Sequence, residues 1–261
     1  MFPISDDNPV RRPPIVTWVL MAACGLVFLW QVSLGAQGDA IIFALGVFPA
    51  SLFGYGELAP DLAIVPPWAT IFTSMFLHGG WLHLGGNMLY LWIFGNNVED
   101  SMTRLRYLLF YLLCGVAAAL AQALYAPHSE VPMVGASGAI AGVLGSYLIM
   151  HPRANVRVAI IFFVFVRIIN MPAMIVLGMW FVFQILSGVA VPTTDEGGGV
   201  AFWAHIGGFL AGVALTPIFK RRSVPLLDRP QSQAWQVRPP GRRSHLPEVP
   251  YRRGERRSPW E

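Results

Sequence analysis

Charge is what this chain lacks most: only 12% of its 261 residues are Asp, Glu, Lys or Arg, whereas 55% are hydrophobic and nine are Trp. Soluble domains carry about 25% charged residues, so this balance excludes an ordinary water-soluble globule and indicates an integral membrane protein. Basic residues are missing altogether between Arg12 and Arg104, and again between Arg167 and Lys220. Cysteine is nearly absent as well. Cys24 and Cys114 both lie in apolar runs, where a thiol behaves as a small buried hydrophobe, so neither a disulfide framework nor a Cys-based metal site is supported.

What the chain has instead is apolar length. A helix needs roughly 20 mainly apolar residues to cross about 30 Å of hydrocarbon. Six stretches meet that need, at about 15–35, 76–95, 107–126, 133–150, 172–190 and 201–219, which predicts an all-α polytopic bundle of six transmembrane helices over 15–219. The second is the least uniform, with His78, His83, Asn87 and several glycines. Residues 156–169 are apolar but interrupted by Arg157 and Arg167 and run into Pro172, which predicts an interfacial or bundle-packed segment. The connection 36–75 is long and holds Pro60, Pro66, Pro67, Phe53 and Trp68, so it is expected to rest on the bilayer surface.

Lys and Arg accumulate on cytoplasmic loops. With residues 1–14 as a short cytoplasmic N-terminus, six spans put all 18 basic residues on the cytoplasmic side, while Asp39, Glu57, Asp61, Glu130, Asp195 and Glu196 fall on the other. Both termini are then cytoplasmic. The first span is too long and lacks the cleavage site of a signal peptide. Residues 220–261 turn rich in Pro and Arg, which predicts a disordered basic tail near the membrane. The compact form and the absence of a targeting segment favour a bacterial plasma membrane.

Two polar residues stand out in the apolar runs. Under this topology Ser137 and His205 each lie a few residues into spans that enter from the outer side. At roughly 1.5 Å per residue, both sit about 6 to 9 Å below that surface. Gly138, Gly142 and Gly145 on the fourth span, and Ala204, Gly208 and Gly212 on the sixth, allow the two helices to approach closely. A serine hydroxyl becomes a useful nucleophile when a neutral imidazole accepts its proton, so the pair suggests a Ser–His dyad. No orienting carboxylate lies within the spans, so a triad is not expected. An acyl-transfer site also needs donors for a developing oxyanion. His83 and Asn87, four residues apart on one helical face, suit that task together with the Ser137 amide, and His78 reads as a structural hydrogen-bonding residue. The chain has no His-Glu-x-x-His, so no metal is expected.

At these positions the sequence resembles the rhomboid family of intramembrane serine proteases. The resemblance rests on His78, His83-x-x-x-Asn87, Gly135-x-Ser137-Gly138 and Ala204-His205-x-x-Gly208-x-x-x-Gly212, in that order. It implies a six-helix bundle with Ser137 as nucleophile, His205 as general base and acid, and His83 and Asn87 in the oxyanion hole. It also implies a structural pair between Glu99 and Arg104 or Arg106, and a mobile fifth span with Trp180, Phe181 and Phe183. The partners implied are transmembrane protein substrates and membrane lipids, with no nucleic acid and no cofactor. Many members carry an aromatic residue four positions after the serine, where this chain has Ala141. The alternative function is a catalytically silent relative that binds membrane proteins. A transporter would call for polar midplane groups and internal repeats, and the chain has neither.

Overall fold

A computed structural model describes residues 2–35, 37–162, 165–190 and 200–227. In chain order the elements are β1 (Phe2–Asp6), α1 (Ile15–Ser33), α2 (Gln37–Leu45), α3 (Pro49–Leu52), α4 (Pro67–Thr73), a 3-10 turn (Ser74–Phe76) and α5 (Trp81–Ser101). They continue with α6 (Arg104–Tyr125), α7 (Ser137–Met150), β2 (Asn155–Phe162), β3 (Phe165–Pro172), α8 (Ala173–Ala190) and α9 (Phe202–Phe219). Four helices, α1, α6, α8 and α9, are long and apolar enough to cross a membrane. The helix α7 is apolar but has only 14 residues. The helix α5 has 21 residues, and its His, Asn, Glu and Asp side chains lower its hydropathy.

The helices sort by what surrounds them. Nearly all of α7 is buried, from Gly138 to Tyr147 without a break, so it is the central post of the bundle. Its low polarity and four-residue glycine spacing permit this, because no side chain needs water and the neighbouring backbones can close in. A Cβ on Gly208 would collide with the Gly138 carbonyl, and one on Gly212 with the Gly142 carbonyl. Backbone therefore touches backbone along the α7–α9 seam. On the other side of α7, a Cβ on Gly138 would stand 2.5 Å from the Ala118 Cβ of α6. Below the glycines the Thr216 hydroxyl donates to Ser146 Oγ at 2.7 Å, closing the seam with a polar bond.

The chain is mostly helical, as expected, but a small sheet accompanies the bundle, which the expected all-α class lacked. Strands β2 and β3 pair antiparallel, and β1 pairs with β2 to complete a three-stranded sheet of order β1-β2-β3. The physical reason lies in the alternation around Arg157. Val156 and Val158 are fully buried while Arg157 is exposed, the period-two pattern of a half-buried strand. The sheet is tied to the bundle through α7, whose Tyr147 hydroxyl donates to Asp6 Oδ2 at 2.6 Å. Asp7 accepts from the backbone and side-chain amides of Asn155, both at 2.8 Å.

Glu99 departs from the expected pair with Arg104 or Arg106. Its carboxylate caps the start of α1, accepting from the amides of Val16 at 3.0 Å and Thr17 at 2.8 Å and from the Thr17 hydroxyl at 2.8 Å. The first amides of a helix lack intrahelical acceptors, so a buried carboxylate finds a matched set of donors there. The connection 37–76 holds α2, α3, α4 and the 3-10 turn, with Trp68 and Phe72 exposed and Ile71 and Met75 buried. The expected disorder of the tail falls on residues that, from 228 onward, lie outside the described set.

Candidate active site

The site is assembled at one end of α5, α7 and α9. Ser137 is the first residue of α7 and not a few residues into it, so its amide is among those without an intrahelical acceptor. The turn that delivers it depends on Gly135, whose φ of +123° is disfavoured for residues with a side chain. The Gly135 amide donates to the Ser74 carbonyl at 2.8 Å, which fixes the turn against the 3-10 segment. A Cβ at Gly135 would lie 2.8 Å from His83 Nε2 and 3.7 Å from Asn87 Nδ2. Glycine there lets the serine-bearing turn press directly against the polar face of α5.

His205 is the fourth residue of α9, and its Nε2 lies 2.8 Å from Ser137 Oγ. The nucleophile and base proposed from the sequence are thus within hydrogen-bonding distance. The close seam accounts for this, because Gly208 shares a helical face with His205 and allows the α9 backbone to reach Gly138.

His83 and Asn87 line the facing side of the same turn. His83 Nδ1 accepts from the Gly79 amide at 3.4 Å, so its proton resides on Nε2, the nitrogen beside Gly135. Asn87 is 7% exposed, and its Nδ2 is buried without an acceptor. A buried donor left unpaired costs about 1 to 3 kcal/mol, which makes it a natural place for an incoming oxygen to bind. His78, by contrast, is bound into the fold. Its amide donates to Gln31 Oε1 at 3.1 Å, its carbonyl accepts from Gln31 Nε2 at 3.3 Å, and its Nδ1 lies 3.2 Å from the Phe76 carbonyl. Its ring stands edge-on to His83, with centroids 5.3 Å apart.

Two features of the surroundings of His205 were not read from the sequence. Gln184 Oε1 of α8 lies 2.8 Å from His205 Nδ1, and Gln184 is only 5% exposed. The available signal was a lone amide in an otherwise apolar span, since polar groups at such depth are expensive and usually functional. Trp180, one turn earlier on α8, has its ring 5.8 Å from the imidazole, so an aromatic residue flanks His205 despite Ala141. Of the three aromatics assigned to a moving helix, Trp180 and Phe181 pack on Phe209 of α9, whereas Phe183 is 62% exposed and faces outward. A cavity of about 40 Å³ adjoins Ser137, walled by Gly115, Ala118, Gly135, Gly138 and Ala204.

In this helical membrane protein a serine hydroxyl thus lies within hydrogen-bonding distance of a partly buried histidine, with an unpaired amide donor nearby. Comparison with known proteins identifies the family: residues 66–222 match the family model described as the Rhomboid domain. Over 205 residues, 77% of this chain and 35% of the relative, it is 32% identical to the rhomboid protease GluP of Bacillus subtilis. It is 28% identical to the chloroplastic Rhomboid-like protein 11 of Arabidopsis thaliana, covering 67% of this chain and 62% of that one. It is 32% identical to the mitochondrial Rhomboid protein 1 of Saccharomyces cerevisiae, covering 55% and 40%. The chain belongs to the rhomboid family, and its matches span 35% to 62% of these relatives' own lengths.

Proposed function

We propose that this protein is an intramembrane serine endopeptidase that cuts transmembrane segments of membrane proteins near the outer face of the bilayer. The observation that carries the reading is the 2.8 Å contact between His205 Nε2 and Ser137 Oγ, beside the unpaired Asn87 amide. In this reading α1, α5, α6, α7, α8 and α9 are the six membrane helices of a catalytic unit over 15–219; the two shorter or more polar ones, α7 and α5, carry the nucleophile and the oxyanion donors, and α9 carries the base. The basic tail lies on the cytoplasmic side with the N-terminus, in a bacterial plasma membrane. The topology rests on the one-sided distribution of all 18 basic residues.

The chemistry follows from the positions. As Ser137 Oγ bonds to the scissile carbonyl carbon, its proton passes to His205 Nε2 and the carbonyl π electrons move onto oxygen. That oxyanion meets the Asn87 Nδ2–H, the His83 Nε2–H and the Ser137 amide, donors already fixed before the reaction and therefore effective. Collapse breaks the C–N bond as His205 returns the proton to the leaving amine. A water then repeats the sequence on the acyl-serine, releasing the acid and restoring the hydroxyl. A substrate helix hides its carbonyl in backbone bonds, so the cleaved segment unwinds locally. The 40 Å³ cavity exceeds the roughly 10–15 Å³ needed for a water and suits a small side chain or that water, in keeping with small residues at the cut.

The test is reconstitution in lipid vesicles with a single-span substrate, comparing wild type with Ser137→Ala and His205→Ala. Cleavage is expected from wild type alone. Persistent cleavage by Ser137→Ala would overturn the reading.

A further inference from the structure

The imidazole of His205 is held from two directions, and the second has no counterpart in a simple two-residue arrangement. Resting on the serine-nucleophile reading above, we propose that Gln184 is a positioning residue that fixes the tautomer and tilt of His205, and so makes the base's competence depend on the seating of α8.

Hydrogen-bond valence fixes where the imidazole proton sits. An amide oxygen can only accept, so the 2.8 Å contact from Gln184 Oε1 requires the proton on His205 Nδ1. A neutral imidazole carries one N–H, so Nε2 is left with a lone pair, and the 2.8 Å contact to Ser137 Oγ is one in which the serine donates. That is the tautomer in which the ring can take the serine proton. With the proton on Nε2 the ring would donate to Ser137 and could not act as base. The same amide oxygen faces the Nδ1–H when the ring becomes imidazolium, and its dipole is oriented to favour that positive charge. Among the described residues no carboxylate supplies this contact: Glu99 is committed to the start of α1, and its neighbour Asp100 accepts from the Arg11 amide.

The placement of Gln184 is costly in a span where Ile175, Met179, Val182, Phe183 and Leu186 are exposed on the outside of the bundle. Burying an amide in such surroundings is tolerated when it has a partner. Trp180, Gln184 and Gly188 fall on one face at four-residue spacing. Trp180 flanks the imidazole, Gln184 holds its Nδ1, and the Gly188 carbonyl accepts from Trp203 Nε1 of α9 at 3.3 Å. These contacts pass through side chains, with no backbone seam like that of α7 and α9. Displacing α8 would therefore detach Gln184 from the base while leaving Ser137 and His205 on their rigid supports.

The experiment measures the rate at which a small fluorophosphonate labels Ser137 in the full chain in lipid vesicles, for wild type, Gln184→Leu and Gln184→Glu. The probe needs no lateral entry between helices, so a merely loosened α8 leaves its rate unchanged or raised. Loss of orientation is expected to slow labelling by about 10- to 100-fold in Gln184→Leu, the scale of misplacing a catalytic group by an ångström. Gln184→Glu, which keeps an acceptor, is expected to stay within about 3-fold of wild type. The 15N spectrum of histidine-labelled protein should place the His205 proton on Nδ1 in wild type and divide it between the two nitrogens in Gln184→Leu. If Gln184→Leu does not fold, Gln184→Met supplies the same comparison. Wild-type labelling rates in Gln184→Leu, or equal slowing by Leu and Glu, would overturn the role of Gln184 alone. No labelling of Ser137 in wild type would instead overturn the serine-nucleophile reading itself.

Discussion

The two sides of His205 are built on different principles. Toward α7, glycines bring main chain against main chain, and the Gly208 and Gly212 positions leave no space even for a methyl group. Toward α8, contact is made by the side chains of Trp180, Phe181 and Gln184, while much of that helix faces outward. A backbone seam cannot slide without breaking many contacts at once, whereas side chains can change rotamer. Ser137 and His205 are thus held at fixed spacing, and adjustability is confined to the contacts with α8. The membrane environment sharpens this division, since helices in lipid associate through close packing and polar contacts and gain little from burying apolar surface.

Breaking the rigid side should have the largest effect. Gly208→Val puts a branched side chain onto the Gly138 carbonyl and is expected to cost about 3 kcal/mol or more, with loss of cleavage. Thermal unfolding in detergent micelles, with a cleavage assay alongside, measures both. On the adjustable side the expectation is milder. Trp180→Ala removes a ring wall from the imidazole, an interaction of about 1 kcal/mol, and should slow Ser137 labelling about 5-fold. Phe183→Ala, on the outward face of the same helix, should leave that rate within about 2-fold. Equal effects at 180 and 183 would remove the distinction between the two faces of α8.

The remote end of α7 offers a control with the smallest expected effect on chemistry. Burial pushes the Asp6 carboxyl up from 3.8 to about 6, against the Tyr147 hydrogen bond, which pulls it down. Because the folded-state value lies above the unfolded one, the folded protein binds this proton more tightly. The resulting stabilisation is fully present below about pH 4 and is lost as pH rises through about 6, a change of up to ~3 kcal/mol. Asp6→Asn should flatten this dependence, seen as a smaller difference in Tm between pH 4.5 and 7, while labelling at Ser137 stays unchanged. A change in labelling would mean that the glycine seam transmits motion along α7.

How much could be read in advance depended on whether the signal was local. Ser137, His205 and the glycines beside them were legible because motif residues and four-residue spacing survive in one dimension. Their meeting at 2.8 Å required only that two helices touch, which the glycines announced. The paired strands β2 and β3 were hidden because their apolar residues resemble a short span, although the exposed Arg157 between buried Val156 and Val158 carried the strand period. The strand Phe2–Asp6 was not legible, since its only reason to extend is pairing with β2, about 150 residues away. Glu99 was assigned a basic partner by likeness, while the fold gives it the amides of α1. Gln184 was illegible for a different reason: a single neutral amide in an apolar span has no spacing or motif that names His205 as its partner.

The proposed chemistry requires that Ser137 be a nucleophile activated by His205. The decisive experiment treats the full chain in lipid vesicles with a fluorophosphonate, locates the label by mass spectrometry and measures its rate. A single adduct on Ser137 is expected, with none in Ser137→Ala and labelling slowed by at least about 10³-fold in His205→Ala. A label on another residue, or a rate that does not depend on His205, would contradict it.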